Sequence, residues 1–223
     1  ERLLEVRADQ SENVGHVVHE DRPLLAVLHD RLDFRHRFAV DHHALAENDD
    51  LRIHLVQDAR RFFEIDPVVN RMARDPRLFT FLSSCTPDAP VVVGDARLTL
   101  EAAPDRYDLI VLDAFSSDSI PVHLLTREAL AGYLSKLSPH GVIVAHISNR
   151  HLDLAPVVAN VARSQGLVTF LREDDSAGGL MTTFTANASV VVMAREAADT
   201  GSVAQSWTPL HPDRTSALWT DDY

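Results

Sequence analysis

The stretch RYDLIVLDAFSSDSIP, residues 106–121, is the strongest indication of the fold in the sequence. Tyr107 to Leu112 is a largely apolar run of strand length without Gly or Pro, and Asp113 ends it. A loop of small and polar residues follows, and Pro121 opens an apolar periodic segment. The pattern predicts a buried strand, a carboxylate, a loop and a helix. Ligands of open α/β sheets bind just outside the carboxyl ends of the strands, so Asp113 is the first candidate for chemistry.

Strands and helices are predicted to alternate along the chain from residue 51 to about residue 171. The predicted strands are 51–56, 60–65, 90–93, 107–113, 142–147, 167–171 and 189–194. The predicted helices are 68–73, 96–102, 121–137 and one that follows Asp153, with a turn at 138–141 and an irregular tail. Strands that are apolar on both faces imply a parallel sheet covered by helices. The fold class is therefore α/β, with a doubly wound, mostly parallel sheet.

The composition limits the classes of partner. Asp and Glu number 33 against 21 Lys and Arg, which gives a net charge of -12. Nucleic acid and anionic membrane surfaces both require a basic face, so neither is an expected partner. An acidic surface suits a cationic small molecule such as a polyamine, although it commonly serves only solubility. Cys85 is the single cysteine, which leaves no disulfide framework and no cysteine-based metal site.

Residues 1–50 form an unassigned lead-in, and residues 51–223 form the predicted α/β domain. Six of the twelve histidines fall in the lead-in without a specific ligand spacing, so no metal is predicted. No apolar run is long enough to span a membrane, and no signal peptide is visible. We expect a cytoplasmic chain, or the cytoplasm-facing domain of a longer membrane protein. This segment itself should not contact the membrane.

Acidic residues end three successive predicted strands. Glu64 and Asp66 come at the end of the second strand, Asp95 follows the third and Asp113 ends the fourth. A carboxylate after the second strand can accept hydrogen bonds from a ribose diol, and one after the third can accept from an exocyclic amine. Asp residues in such positions also cap turns and helices, which is the structural alternative. Three successive strand ends favour a ligand site.

Five runs of sequence carry a resemblance to a known family. They are FFEIDP (62–67), GDARLTL (94–100), YDLIVLDAFSSDSIPVHLLTREAL (107–130), GVIVAHISNRHLDLAPVV (141–158) and WTDDY (219–223). Together they resemble the spermidine synthase-like family, and most of all its bacterial members in which this domain follows a transporter-like region. The resemblance implies the Rossmann-like fold of S-adenosylmethionine-dependent methyltransferases. It also implies transfer of an aminopropyl group from decarboxylated S-adenosylmethionine to a polyamine such as putrescine.

The resemblance assigns roles on the co-substrate side of the site. It implies that Glu64 binds the ribose hydroxyls and that Asp95 contacts the adenine amine, with Asp66 and Ala96 beside them. The co-substrate would be decarboxylated S-adenosylmethionine or S-adenosylmethionine, with no metal. The family resemblance is also compatible with a homodimer.

On the amine side, the resemblance makes Asp113 the acid that orients or deprotonates the attacking amine. Ser116, Ser117 and Asp118 are the implied contacts of the amine substrate, and Asp118 is the candidate for holding it. A protonated amine is not a nucleophile, so a carboxylate near it is required.

The sequence departs from the family pattern in two places, and these departures leave more than one function compatible with it. No glycine occurs between Gly15 and Gly94, so the first Gly-rich loop and helix of this fold are expected to be missing. Asp118 also follows Asp113 at a longer spacing than in aminopropyltransferases, and the Tyr-Gln pair that helps to bind the amine is absent. The alternatives are a methyltransferase that uses S-adenosylmethionine and a non-catalytic remnant of the fold.

Overall fold

The computed structural model describes residues 2–3, 61–114, 121–149, 151–174, 188–213 and 215–222. The strands are β1 (Arg2–Leu3), β2 (Phe62–Glu64), β3 (Val91–Val93), β4 (Tyr107–Leu112), β5 (Leu137–His146), β6 (Val168–Asp174), β7 (Ala188–Ala194) and β8 (Thr208–Pro209). The α-helices are α1 (Pro67–Arg74), α2 (Phe81–Cys85), α3 (Ala96–Ala102), α4 (Arg127–Lys136), α5 (Ala155–Ser164) and α6 (Val203–Ser206). Short 3-10 helices cover Val122–Leu124 and Ala197–Thr200.

The described strands form two sheets, in the orders β1-β2-β3 and β4-β5-β7-β6-β8. Strands β2 and β3 are parallel, and so are β4 and β5. Strand β7 runs antiparallel to both β5 and β6, so β6 points the same way as β4 and β5. Strands β1 and β8 run antiparallel to their neighbours. The predicted α/β class with a Rossmann-like sheet is confirmed. The predicted first strand, 51–56, and the place of the Gly-rich loop lie outside the described residues.

The larger sheet is buried on both faces, as its continuous apolar strands predict. Along β5, Ile143 and Ala145 belong to one core cluster, with residues of α3, α4 and α5. Val142 and Val144 alternate with them and belong to a second cluster, with Trp207 and residues of β6 and β7. Side chains of successive strand residues point to opposite faces, which places these two sets on opposite sides of the sheet.

The smaller sheet packs against the same core as the larger one. Phe63 of β2 belongs to the core cluster that contains Ile143. Its ring packs edge-on against the ring of Tyr107, with 6.4 Å between the ring centroids. Arg61 also pairs with Asp105, just before β4, at 2.8 Å. The two sheets are therefore joined by side chains at the start of β4.

The helix predicted from Pro121 to Leu137 ends within one residue of the predicted end but begins six residues later than predicted. A 3-10 helix covers Val122–Leu124, and α4 begins only at Arg127. The break lies at Thr126, whose side-chain oxygen accepts a hydrogen bond from the amide of Ala129 at 3.2 Å. Threonine at this position satisfies an amide that has no partner within the helix, so it starts a new helix.

Residues 138–141 were also predicted wrongly, because they belong to β5 and not to a turn. Tyr107 pairs with Leu137 and Leu109 pairs with Val142, so the extra residues of β5 form an irregularity in the ladder. Arg195 donates a hydrogen bond to the carbonyl of Ser138 at 2.8 Å, which satisfies backbone that the ladder leaves unpaired. The tail predicted as irregular likewise contains the 3-10 helix Ala197–Thr200, α6 and β8.

Candidate active site

Asp113 lies directly after the last residue of β4, as the sequence predicted. In the parallel β4–β5 ladder, Leu112 is paired with Ala145, so the next residues, Asp113 and His146, are neighbours. Their side chains meet, with Oδ1 of Asp113 2.9 Å from Nδ1 of His146. The Asp113 side chain is 28% exposed and that of His146 is 23% exposed. The carboxylate is therefore anchored on one side and still accessible to a ligand.

The other ring nitrogen of His146 contacts Ser148. Nε2 of His146 lies 2.7 Å from Oγ of Ser148. The backbone amide of Ser189 in β7 donates to that Oγ at 2.8 Å. The amide of Ile147 also donates to the carbonyl of Ser189 at 2.8 Å, which holds the end of β5 against β7. Asp113, His146 and Ser148 thus form a hydrogen-bonded row, which we call the polar row.

The sequence reasoning missed His146 and Ser148. The sequence predicts a strand over 142–147 and assigns no role to either side chain. A usable signal was present, because strands β4 and β5 were both predicted and parallel strands end at one edge of a sheet. Polar residues at the end of β5 should therefore have been expected beside Asp113.

The carboxylates at the ends of β2 and β3 lie at one edge of the smaller sheet. The two strands are parallel, and the amide of Gly94 donates to the carbonyl of Glu64 at 2.9 Å. Glu64 is 9% exposed, and its Oε1 accepts a hydrogen bond from the amide of Asp66 at 2.8 Å. Asp66 caps α1, since its Oδ1 accepts from the amide of Val68 at 2.7 Å.

Asp95 also caps a helix. Its Oδ1 accepts from the amide of Leu98 at 3.1 Å, in the first turn of α3. Its Oδ2 lies 3.4 Å from Nε2 of His123. Ala96 is the first residue of α3 and is buried. Capping, the structural alternative for these acids, is therefore present at Asp66 and Asp95, and each still has one oxygen that the cap does not use.

Ser116, Ser117 and Asp118, the predicted contacts of the amine, lie outside the described residues. Their placement beside Asp113 stays a prediction.

Residues near the end of the chain contact α3 and the start of α4, which the sequence analysis did not predict. Arg97 of α3 forms a bidentate salt bridge with Asp221, in which Nη1 donates to Oδ1 at 2.9 Å and Nη2 donates to Oδ2 at 2.7 Å. The same guanidinium donates to the carbonyl of His123 at 3.1 Å. Thr126 donates to Asp221 at 2.7 Å, and the amide of Arg127 donates to the carbonyl of Trp219 at 2.9 Å. The tail thus ties α3 to the start of α4.

Replacing Asp221 by asparagine should reduce stability in a pH-dependent way. The hydrogen bonds from Arg97 and then from Thr126 lower the pKa of Asp221 to about 2. The ordinary pKa of Asp is about 3.9, so the carboxylate contributes stability that is present above that value and lost as the pH falls towards 2. The side chain is 41% exposed, which limits the expected loss. We expect about 1 kcal/mol at about pH 7.

The measurement for Asp221→Asn is urea unfolding from near-neutral to acid pH. The difference from the parent chain should shrink as the pH approaches about 2, because the parent carboxylate is then protonated. The matched control is Asp222→Asn, an exposed neighbour, which should change nothing. An equal loss at every pH would show that the ion pair with Arg97 is not the cause.

Within the described segments, no group of three or more His, Cys, Asp or Glu side chains could hold a metal ion. In the same segments, no helix is long and apolar enough to cross a membrane.

Two curated proteins are similar to parts of this chain. The chain is 44% identical over 86 residues to a polyamine aminopropyltransferase of Vibrio vulnificus, which covers 37% of this chain and 27% of that protein. It is 34% identical over 61 residues to a probable polyamine aminopropyl transferase of Bifidobacterium longum, covering 27% of this chain and 14% of that protein. The chain thus spans well under a third of either relative. No family model matches.

Among solved structures, the chain is similar to a probable spermidine synthase from Corynebacterium glutamicum. The TM-score is 0.44 at 20% identity, over 59% of this chain and 45% of the other. The two curated polyamine aminopropyltransferases confirm the resemblance of this chain to the spermidine synthase-like family, over the stretches that they match.

Proposed function

We propose that this chain carries the catalytic carboxylate of an aminopropyl transfer from decarboxylated S-adenosylmethionine to an amine such as putrescine. The observation that carries the proposal is Asp113, a partly exposed carboxylate at the end of β4 whose Oδ1 is held by His146. Within the described part of the chain, no hydrogen bond or ion pair reaches its Oδ2. The similarity to two polyamine aminopropyltransferases supports the choice of reaction.

The chemistry asks little of the protein beyond alignment and proton removal. The amine nitrogen forms a bond to the methylene carbon next to the sulfonium, and the bond from that carbon to sulfur breaks. Methylthioadenosine leaves with the electron pair, and Asp113 accepts the proton that the nitrogen loses. The negative charge of Asp113 also attracts the ammonium form of the substrate before it loses its proton.

The acids after β2 and β3 have the chemistry that a nucleoside requires. A nucleoside presents hydroxyl and amine donors, and carboxylate oxygens accept from both. Glu64 is nearly buried at the edge where Asp95 also lies, so both can accept from one ligand that covers this edge. In the proposed complex, Glu64 takes the ribose hydroxyls and Asp95 takes the adenine amine.

The test is to incubate the protein with decarboxylated S-adenosylmethionine and putrescine. Release of methylthioadenosine, together with spermidine identified by mass, is the expected result. A parallel incubation with S-adenosylmethionine gives a methylated amine if the reaction is methyl transfer. If neither methylthioadenosine nor spermidine is formed from decarboxylated S-adenosylmethionine, the proposal is rejected.

A non-catalytic domain is the second candidate, and one observation favours it. Asp66 and Asp95 both serve as helix caps, a role that needs no ligand. Calorimetry with S-adenosylmethionine, its decarboxylated form and methylthioadenosine separates the candidates. An enzyme must bind at least one of these molecules, whereas a non-catalytic remnant without the pocket binds none at millimolar concentration.

A further inference from the structure

The polar row fixes the orientation of Asp113 through a chain of donors that begins in the sheet. The amide of Ser189 donates to Oγ of Ser148 at 2.8 Å, which occupies one lone pair of the hydroxyl. The hydroxyl proton is then available to Nε2 of His146, 2.7 Å away. A neutral imidazole carries a proton on only one of its nitrogens, so a hydroxyl that donates to Nε2 matches the tautomer whose proton is on Nδ1.

The carboxylate selects the same tautomer. Nδ1 of His146 is 2.9 Å from Oδ1 of Asp113, and a lone pair on Nδ1 would face an ionised oxygen there. An N–H at that position instead donates a hydrogen bond to a charged acceptor, which is the stronger class of hydrogen bond. Asp113 therefore favours the tautomer with the proton on Nδ1, and Ser148 can donate to the Nε2 that this tautomer leaves unprotonated. Oδ1 of Asp113 then accepts from His146.

We propose that His146, held by Ser148, is the positioning residue for Asp113 in the amine-transfer reaction, an inference that rests on the proposed function. With Oδ1 held, rotation of the carboxylate is restricted and Oδ2 is the oxygen presented to the amine. The proton from the amine nitrogen goes to Oδ2, while His146 keeps its own proton and touches no substrate. A catalytic group held within a small range of positions is worth a large factor in rate.

A carboxylate, an imidazole and a hydroxyl in this order also occur in serine hydrolases, where the serine is the nucleophile. The contacts of Ser148 favour the positioning role. Its Oγ accepts from the Ser189 amide, so one lone pair is engaged in joining β5 to β7. His146 and Ser148 also lie two residues apart at the end of one strand, a rigid support for a side chain that must hold another.

Three substitutions of His146 distinguish a role in orienting Asp113 from a purely structural role of this side chain. In His146→Asn, the amide nitrogen takes the place of Nδ1 and can still donate to Asp113. In His146→Gln, the amide nitrogen takes the place of Nε2 and can donate to the second lone pair of Ser148 Oγ, so a contact with Ser148 is kept with its direction reversed, whereas the donor to Asp113 is lost. In His146→Ala, both contacts are lost. The asparagine and glutamine variants are therefore matched controls for each other.

The measurement is methylthioadenosine release with decarboxylated S-adenosylmethionine and putrescine, beside a thermal unfolding curve for each variant. We expect kcat to fall about 100-fold in His146→Ala and His146→Gln, since misplacing a catalytic group by about 1 Å costs about that factor. His146→Asn should keep kcat within about fivefold of the parent chain. The KM for decarboxylated S-adenosylmethionine should not change, because His146 does not touch it.

Each outcome has a distinct meaning. If the parent chain releases no methylthioadenosine, the proposed function fails and this assignment fails with it. If the parent chain is active and His146→Gln turns over as fast as the parent, only the positioning role is rejected. Equal losses in the asparagine and glutamine variants would also reject it, because a structural role does not distinguish the two nitrogens. If His146→Ala does not fold, the comparison of His146→Asn with His146→Gln decides.

Discussion

Replacing Asp113 by asparagine is expected to lower kcat for aminopropyl transfer by about 100- to 10,000-fold, the usual contribution of a general base. The amide has nearly the shape of the carboxylate, but it cannot accept the proton of the attacking amine. Its carbonyl oxygen can still accept from Nδ1 of His146, so the polar row and the fold should be retained. The fall in kcat would therefore report the loss of the proton acceptor and not a change in the structure that holds it.

The measurement is methylthioadenosine release under saturating putrescine, with circular dichroism to confirm the fold. The matched control is Asp108→Asn, on the same strand but near its other end and exposed to solvent. That variant should keep the activity of the parent chain. Unchanged turnover in Asp113→Asn would show that another acid is the base.

Replacing Ile143 by alanine is expected to reduce the free energy of unfolding by about 2–5 kcal/mol. Ile143 has no exposed surface and lies between Ile110 of β4 and Met193 of β7. The larger sheet is covered on both faces, so neighbouring side chains can collapse only partly into the space. The loss then contains both the transfer of the removed methyl and methylene groups and the cavity that remains.

Urea unfolding of the parent chain and the variant measures this loss. The matched control is Leu152→Ala, which truncates a side chain of similar size that is 52% exposed. Because about half of that side chain is already exposed to solvent, its removal should change the free energy by no more than about 0.5 kcal/mol. Equal effects at the two positions would mean that β5 is not the centre of the core.

Much of the fold could be predicted from local patterns. The run YDLIVL gave strand β4, and ARLTLEA gave helix α3 with the observed bounds. The failures came where local and distant interactions compete. The apolar period that begins at Pro121 continues through Thr126, yet the threonine side chain caps a new helix there. Residues 138–141 have turn composition, but pairing with β4 and the contact from Arg195 draw them into β5.

The candidate site shows the same division. The position of Asp113 at the end of a buried strand follows from the amino-acid sequence, because an apolar run closed by a carboxylate is a local property of the chain. The same is true of the acids at the ends of β2 and β3. The partners of Asp113 and Arg97, in contrast, depend on tertiary packing. His146 meets Asp113 through the register of two parallel strands, and Asp221 meets Arg97 from the far end of the chain. Contacts of that kind depend on how distant segments pack, which no local pattern encodes.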